Sequence, residues 1–180
     1  RSADRPAYVD FNPNTGRSEK CIACYPLIEK GIAPRCVQTC IGKIRITGWI
    51  NPPESAQGDN PIDYLVHEAK VALPLYAQLG TLPNVYYIPP IHVDSAYLKQ
   101  MFGPNVEKAV ENYKRRHERL VGLLSLFGST DHLLERFEVK AGEAAGFLNG
   151  RETVRVPVKE PVVFRVFKDE QRGVYRQSVT

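Results

Sequence analysis

Two periods organise the apolar side chains of this sequence. Between Pro104 and Leu126, apolar-face positions (Val106, Val110, Tyr113, His117, Leu120 and Leu124) recur every third or fourth residue. Lys114, Arg115, Arg116, Glu118 and Arg119 fill the other faces, which predicts one amphipathic helix opened by Pro104. Gly128-Ser129-Thr130 ends it, and Asp131 to Phe137 reads as a short helical restart. Ile62, Leu65, Val66 and Ala69 predict a helix over 61–70 with Pro61 in its first turn, and Asp94 to Met101 predicts another. The second period is two. It predicts strands at Tyr8–Phe11, Lys43–Ile50, Thr153–Val158, Pro161–Phe167 and Val174–Val179, with Asn149-Gly150 as a two-residue hairpin turn. Asn12 to Gly16 reads as a tight turn and Asn51 to Asn60 as a polar loop. Pro74, Pro83, Pro89 and Pro90 make Val71–Pro90 an extended segment that wraps over another surface rather than joining a sheet interior.

The chain has 180 residues, 43% hydrophobic and 24% charged, which suits a globular core with an extension and excludes wholesale disorder. It contains no apolar run long enough to span a membrane, and no signal peptide is read at its start, which is Arg1. Charge changes the picture more. From Arg17 to Arg45, six basic residues (Arg17, Lys20, Lys30, Arg35, Lys43, Arg45) face two acidic ones (Glu19, Glu29), which accounts for the whole net charge of +4. All four cysteines lie in the same segment. A local positive field favours the thiolate, the form that ligates metal. A nucleic-acid patch fits less well, because the charges interleave with cysteines instead of forming a stripe. Disulfides also fit poorly: a chain this long buries a core unaided, and pairing within 20 residues would staple one short loop.

The spacing is Cys21-x2-Cys24-x11-Cys36-x3-Cys40. A Cys-x2-Cys turn lets two sulfurs share one metal centre, and Cys-x3-Cys projects two sulfurs from one helical turn. Zinc in a closed structural site and iron–sulfur clusters both use such sets, and spacing alone leaves the two open. The positive residues would offset a negatively charged cluster. The flanking Ile22, Ile32, Val37, Ile41 and Ile44 suit a dry shell that tunes reduction potential. Both features tilt the reading to iron–sulfur. Lys20, Lys43 and Arg45 are candidates for raising that potential by favouring the reduced cluster. Trp49 reads as a core or interface residue, with packing beside a cluster as the alternative. His67 and His117 read as helix residues, His117 as a partly buried one on the apolar face; His92 reads as an interface residue and His132 as a helix start. Asp169 and Glu170 read as solvated. There is no His-x3-His pair and no Gly-rich phosphate loop, so no self-standing catalytic centre is expected.

Ser18-Glu19-Lys20-Cys21-Ile22-Ala23-Cys24-Tyr25-Pro26-Leu27-Ile28-Glu29-Lys30-Gly31 and Pro34-Arg35-Cys36-Val37-Gln38-Thr39-Cys40-Ile41-Gly42-Lys43-Ile44-Arg45 resemble the last cysteine group of a known family. That family is the four-cluster iron–sulfur β subunits of respiratory nitrate reductase and nitrite oxidoreductase, in the dimethyl-sulfoxide-reductase superfamily. Ethylbenzene, dimethylsulfide, selenate and chlorate oxidoreductases have similar subunits. The resemblance continues through Lys70–Leu75 and Gly80–Pro90, and more weakly through Tyr97–Pro104.

It implies that Cys21, Cys24 and Cys36 bind one [4Fe-4S] cluster with a fourth cysteine from upstream, and that Cys40 completes a neighbouring [4Fe-4S] cluster. A further [4Fe-4S] and a [3Fe-4S] cluster would sit on upstream groups absent from this sequence. The chain is therefore expected to be the C-terminal part of a longer subunit; the alternative is a self-contained chain whose cysteines serve one centre. The implied fold is α+β. Residues 1–50 would be the C-terminal half of a ferredoxin-like iron–sulfur domain, 51–103 a loop and proline-rich docking arm, 104–137 a helical section and 138–180 a β-rich extension with a hairpin. The implied role is electron transfer with no active site of its own. Implied partners are a molybdenum-cofactor catalytic α subunit, a haem-bearing γ or membrane subunit and the upstream part of the same chain, with no nucleic acid. Lacking a long insertion after its cysteine block, the chain looks closer to the periplasmic branch, exported folded with a partner, than to the one on the cytoplasmic membrane face. The competing readings are a zinc-stabilised binding module built on the same cysteines and a partner-binding remnant without a cluster.

Overall fold

A computed structural model describes residues 10–12, 14, 16–19, 21–159, 165–168 and 175–178; in 10–12, 17–19, 165–168 and 175–178 it describes the backbone alone. The elements are β1 (Asp10–Asn12), β2 (Arg17–Glu19), α1 (Tyr25–Ile28), α2 (Arg35–Gln38) and α3 (Pro61–Asp63), which runs into a π turn at Tyr64–Glu68. There follow β3 (Leu73–Pro74), β4 (Tyr86–Tyr87), α4 (Ser95–Phe102), α5 (Val106–Arg115) and α6 (His117–Gly128). Last come β5 (Arg136–Lys140), β6 (Glu143–Leu148), β7 (Arg151–Pro157), β8 (Arg165–Lys168) and β9 (Tyr175–Ser178). Helices with small antiparallel sheets make an α+β protein.

The centre is the sheet β5-β6-β7 with α6 packed on it. Asn149 and Gly150 both have positive φ (50° and 71°), the conformation that lets a two-residue turn follow the strand twist, and they join β6 to β7 as expected. Ala144, Ala145 and Gly146 put small residues in a buried row, so α6 can approach closely. Leu120, Leu123 and Leu126 of α6 have no exposed surface. Phe137 receives Tyr64 and Phe127 edge-on at centroid distances of 5.4 and 5.1 Å. Val71, Ala72, Leu134 and Val158 complete this core, which draws on each segment from 51 onward. A smaller cluster of Leu98, Phe102 and Val106 joins α4 to α5.

The expected single helix over 104–126 is two. Arg116 departs from helical backbone (φ −115°, ψ 18°) between α5 and α6. The break has a packing cause: Val106 belongs to the smaller cluster and Leu120, Leu123 and Leu126 to the larger, and one straight axis does not serve both. It also shifts the phase of His117, which is exposed and stacks edgewise on Tyr113 rather than being partly buried.

Asp131–Phe137 is not helical either. Backbone bonds from Ala33 to Asp131, Leu133 to Gly31 and Glu135 to Phe147 hold it extended into β5, and His132 pairs with Ile32 in a lone β-bridge. The helix over 61–70 forms with a wider π turn, and α4 forms with Asp94 as its cap. The extended 71–90 segment is pinned on itself by β3 and β4. β1 pairs with β2 across the expected turn, and β8 pairs with β9. Tyr8, Val9, Pro161–Phe164, Asp169, Glu170, Val174 and Val179 lie outside the described residues. Among the described residues no helix is long and apolar enough to cross a membrane.

Candidate metal centre

The cysteine segment is mostly turns. Ala23 and Cys24 are both left-handed (φ 55° and 53°), a conformation that L side chains adopt at a cost. The Ala23 N–H donates to the Cys21 Sγ, 3.3 Å away, and the left-handed pair turns the chain beyond it into α1. Cys24 then caps α1, where Leu27 N–H donates to the Cys24 carbonyl at 2.7 Å. Gly31 (φ 68°) ends that turn, and Pro34 starts α2. Cys36 lies in α2, while Cys40 falls just beyond it, so the two sulfurs leave a helical turn and the loop that follows. Gln38 ties the loop to Ala33 through a 2.9 Å bond to its carbonyl.

Beyond Cys40 the chain turns back. Lys43 N–H donates to the Cys40 carbonyl at 3.0 Å, and Lys43 is left-handed (φ 50°). The Cys40 thiol is held below the ordinary thiol range, chiefly by the backbone N–H of Ile44, with the Arg45 amide and charge and the Gly42 amide adding to it and outweighing burial. The expected strand over Lys43–Ile50 does not form: the chain turns through the left-handed Lys43, and 44–50 pairs with no strand among the described residues. Arg45 also donates to the Cys36 carbonyl at 3.2 Å, linking the two halves of the motif.

All four thiols are free, Cys21 and Cys36 exposed and Cys24 and Cys40 partly so, which sets the disulfide reading aside. Around them stand exposed apolar side chains: Ile22 (70% exposed), Ile41 (100%), Ile44 (82%) and Trp49 (60%). Trp49 is therefore not a core residue of this chain. Lys43 reaches Asp131 at 3.7 Å, a surface pair that shares its charge. Lys20 lies outside the described residues.

The donor set fits iron–sulfur ligation. The Cys21 sulfur accepts a backbone N–H, the local charge is positive and the neighbours are apolar, three of the levers that set a cluster's stability and potential. Among the described residues no three or more His, Cys, Asp or Glu side chains are gathered to hold one metal ion.

Sequence reasoning gave Asp131, His132 and Gly128 no part in this site. Asp131 faces Lys43, Ile32 and His132 bridge the cysteine loop to the body, and Gly128 closes α6 against the Lys43 carbonyl. Only Gly128 carried a signal, as a helix terminator.

Residues 7–49, which contain all four cysteines, match the family model of the 4Fe-4S dicluster domain. The chain is 42% identical over 117 residues to the selenate reductase β subunit of Thauera selenatis, with 56% of this chain and 34% of that protein covered. It is 38% identical over 121 residues to the dimethylsulfide dehydrogenase β subunit of Rhodovulum sulfidophilum (59% and 36% covered). The respiratory nitrate reductase β subunit of Haloferax mediterranei matches at 38% over 131 residues (61% and 36% covered). The chain spans about a third of the length of these curated relatives. The resemblance read from the cysteine block therefore holds: the chain is similar to iron–sulfur oxidoreductase β subunits over part of their length.

Proposed function

We propose that this chain is part of an iron–sulfur electron-transfer subunit of a molybdenum-containing oxidoreductase complex of the nitrate reductase and nitrite oxidoreductase type. In this reading Cys21, Cys24 and Cys36 hold one [4Fe-4S] cluster, completed by a cysteine elsewhere in the subunit, and Cys40 belongs to a second. The observation that carries it is the match of residues 7–49, which contain all four cysteines, to the 4Fe-4S dicluster domain; a domain of two clusters suits ligands divided between two centres.

The clusters would supply one-electron storage and transfer at positions fixed by the polypeptide. The chain's own residues do the rest. The turns at Ala23–Cys24 and Gly42–Arg45 aim the thiolates and stabilise their charge. Lys20, Lys43 and Arg45 favour the reduced state, and Ile22, Ile41 and Ile44 keep water away once covered. Residues 1–50 would act as half of a ferredoxin-like domain, 51–103 as the docking arm for the catalytic subunit, and 104–137 with 138–180 as the body that holds both. Tyr76, Leu79, Leu82, Val85 and Tyr87, exposed along the arm, support that docking role. The remaining proposals are a further [4Fe-4S] and a [3Fe-4S] cluster on upstream groups, a haem-bearing partner and a periplasmic site.

Anaerobic purification of the intact subunit followed by iron and acid-labile sulfide analysis tests this reading. Iron and sulfide in near-equal amounts, with visible absorption that bleaches on reduction, are expected. Stoichiometric zinc without iron would replace it with the zinc-module reading.

A further inference from the structure

Where the proline-rich arm meets the helices, the chain leaves a cleft of about 350 Å³. One wall is the 91–95 stretch with α4, and the other is α5. The floor is aliphatic, lined by Ile91, Val93, Leu98, Val106 and Val110. Leu98 and Val106 are also the buried centre of the smaller core cluster, so packing fixes the floor. A polar clip holds the two walls together. Glu107 Oε1 accepts from Ser95 Oγ at 2.8 Å and pairs with Lys99 Nζ at 2.8 Å, which ties α5 to α4.

The polar groups of the walls are thus engaged with one another. Small-molecule sites carry a few free polar groups that converge on the interior; here the unpaired charges flank the opening. Glu111 and Lys114, three residues apart on α5, both line the cleft and are exposed. Among the described residues neither side chain has a hydrogen-bond or ion-pair partner. The cleft also ends a run of exposed apolar side chains. Tyr76, Leu79, Leu82, Val85 and Tyr87 stand along the arm, and Val93, 40% exposed, follows them into the cleft. An apolar anchor in a pocket, rimmed by charge, is how protein interfaces concentrate affinity.

We infer that this cleft is a socket for one apolar side chain (Leu, Met or Phe) of an extended segment of the catalytic subunit, with a basic neighbour meeting Glu111 and an acidic neighbour meeting Lys114. The docking surface then extends past the arm onto α5. The inference rests on the proposed reading of 51–103 as the docking arm.

The test measures binding of the intact, cluster-loaded subunit to the molybdenum-bearing catalytic subunit of its complex by sedimentation velocity. Variants are compared at wild-type iron and sulfide content and thermal midpoint. Val93→Asp sets a charge over the apolar floor from an exposed position, and is expected to weaken binding about thirtyfold, as loss of an anchor does. Glu111→Lys and Lys114→Glu are each expected to weaken it about tenfold by bringing like charges face to face. Lys108→Glu, exposed on the same helix but outside the cleft, is the control and should stay within about twofold. Leu82→Asp, at a position 87% exposed on the arm, separates the two claims. Weakening in Leu82→Asp with wild-type binding in Val93→Asp, Glu111→Lys and Lys114→Glu overturns the socket and spares the arm. Wild-type binding in all four overturns both.

In a second measurement the photocrosslinker p-benzoylphenylalanine replaces Val93 in the assembled complex. It is expected to capture a catalytic-subunit peptide in which an apolar residue stands between a basic and an acidic one. Crosslinks confined to this subunit overturn the inference. So does a small molecule that native mass spectrometry finds on the isolated wild-type subunit and not on Val93→Asp.

Discussion

Asp63 has no exposed surface, yet it carries a carboxylate. Burial alone would raise its pKa. Bonds from the Asn51 N–H (2.8 Å), the Gln57 N–H (3.0 Å) and the Asn51 side-chain amide (2.6 Å), with the nearby His67, hold it below the ordinary value instead. The carboxylate thus folds the 51–57 loop over the start of α3, and His67 closes it with a 2.9 Å bond to the Asn51 carbonyl. Asp63→Ala is expected to lose about 3 kcal/mol of unfolding free energy in urea titration, since it strands buried donors. The pH sign follows from the depressed native pKa. The contribution is full above the unfolded value near 3.8 and is lost as pH falls through the native one, so acid unfolding of Asp63→Asn should show a weaker pH dependence there. Nothing in the sequence marked Asp63, because an acid in a first helical turn reads as an ordinary terminal charge and its partners lie 12 and 6 residues upstream. The four cysteines were legible for the opposite reason: their spacing is local and needs no tertiary contact to be recognised.

At the level of elements, what the sequence predicted well was set by neighbours in the chain. Asn149-Gly150 turned where its backbone preference required. Asn60 caps α3, accepting from the Ile62 N–H at 2.9 Å and the Asp63 N–H at 3.3 Å. Asn60→Ala should lower stability by about 1 kcal/mol, read as a drop in thermal midpoint with no change in cluster content. The misread elements were decided by partners far away. The 43–50 stretch alternates like a strand but turns through the left-handed Lys43 and finds no strand to pair with among the described residues, and 131–137 is drawn out by backbone bonds with Gly31, Ala33 and Phe147 across the fold. The split between α5 and α6 has the same origin, two cores on two sides of one amphipathic run.

At the scale of the molecule, the four cysteines and the hydrophobic core of the described residues are separate. None of the buried core side chains is a cysteine, and Leu120, Leu123 and Leu126 lie in α6 against the sheet. Stripping iron from the intact subunit by chelation under oxidising conditions should therefore bleach it while leaving slow amide exchange in α6, β5 and β6. Exchange should rise in 21–45, which is tied to the body by the Ile32–His132 bridge, the Ala33 and Leu133 backbone bonds, the Lys43–Asp131 pair and the contact of Gly128 with the Lys43 carbonyl. Mass-spectrometric hydrogen exchange before and after chelation reads both.

The thiols of Cys36 and Cys40, four residues apart, are proposed to serve different iron centres. Low-temperature electron paramagnetic resonance of the intact, dithionite-reduced subunit, comparing Cys36→Ser with Cys40→Ser, addresses that directly. Each substitution should perturb a different cluster signal and leave the other's intensity near wild type. Loss of one and the same signal in both variants would contradict it, and would place all four cysteines at a single centre.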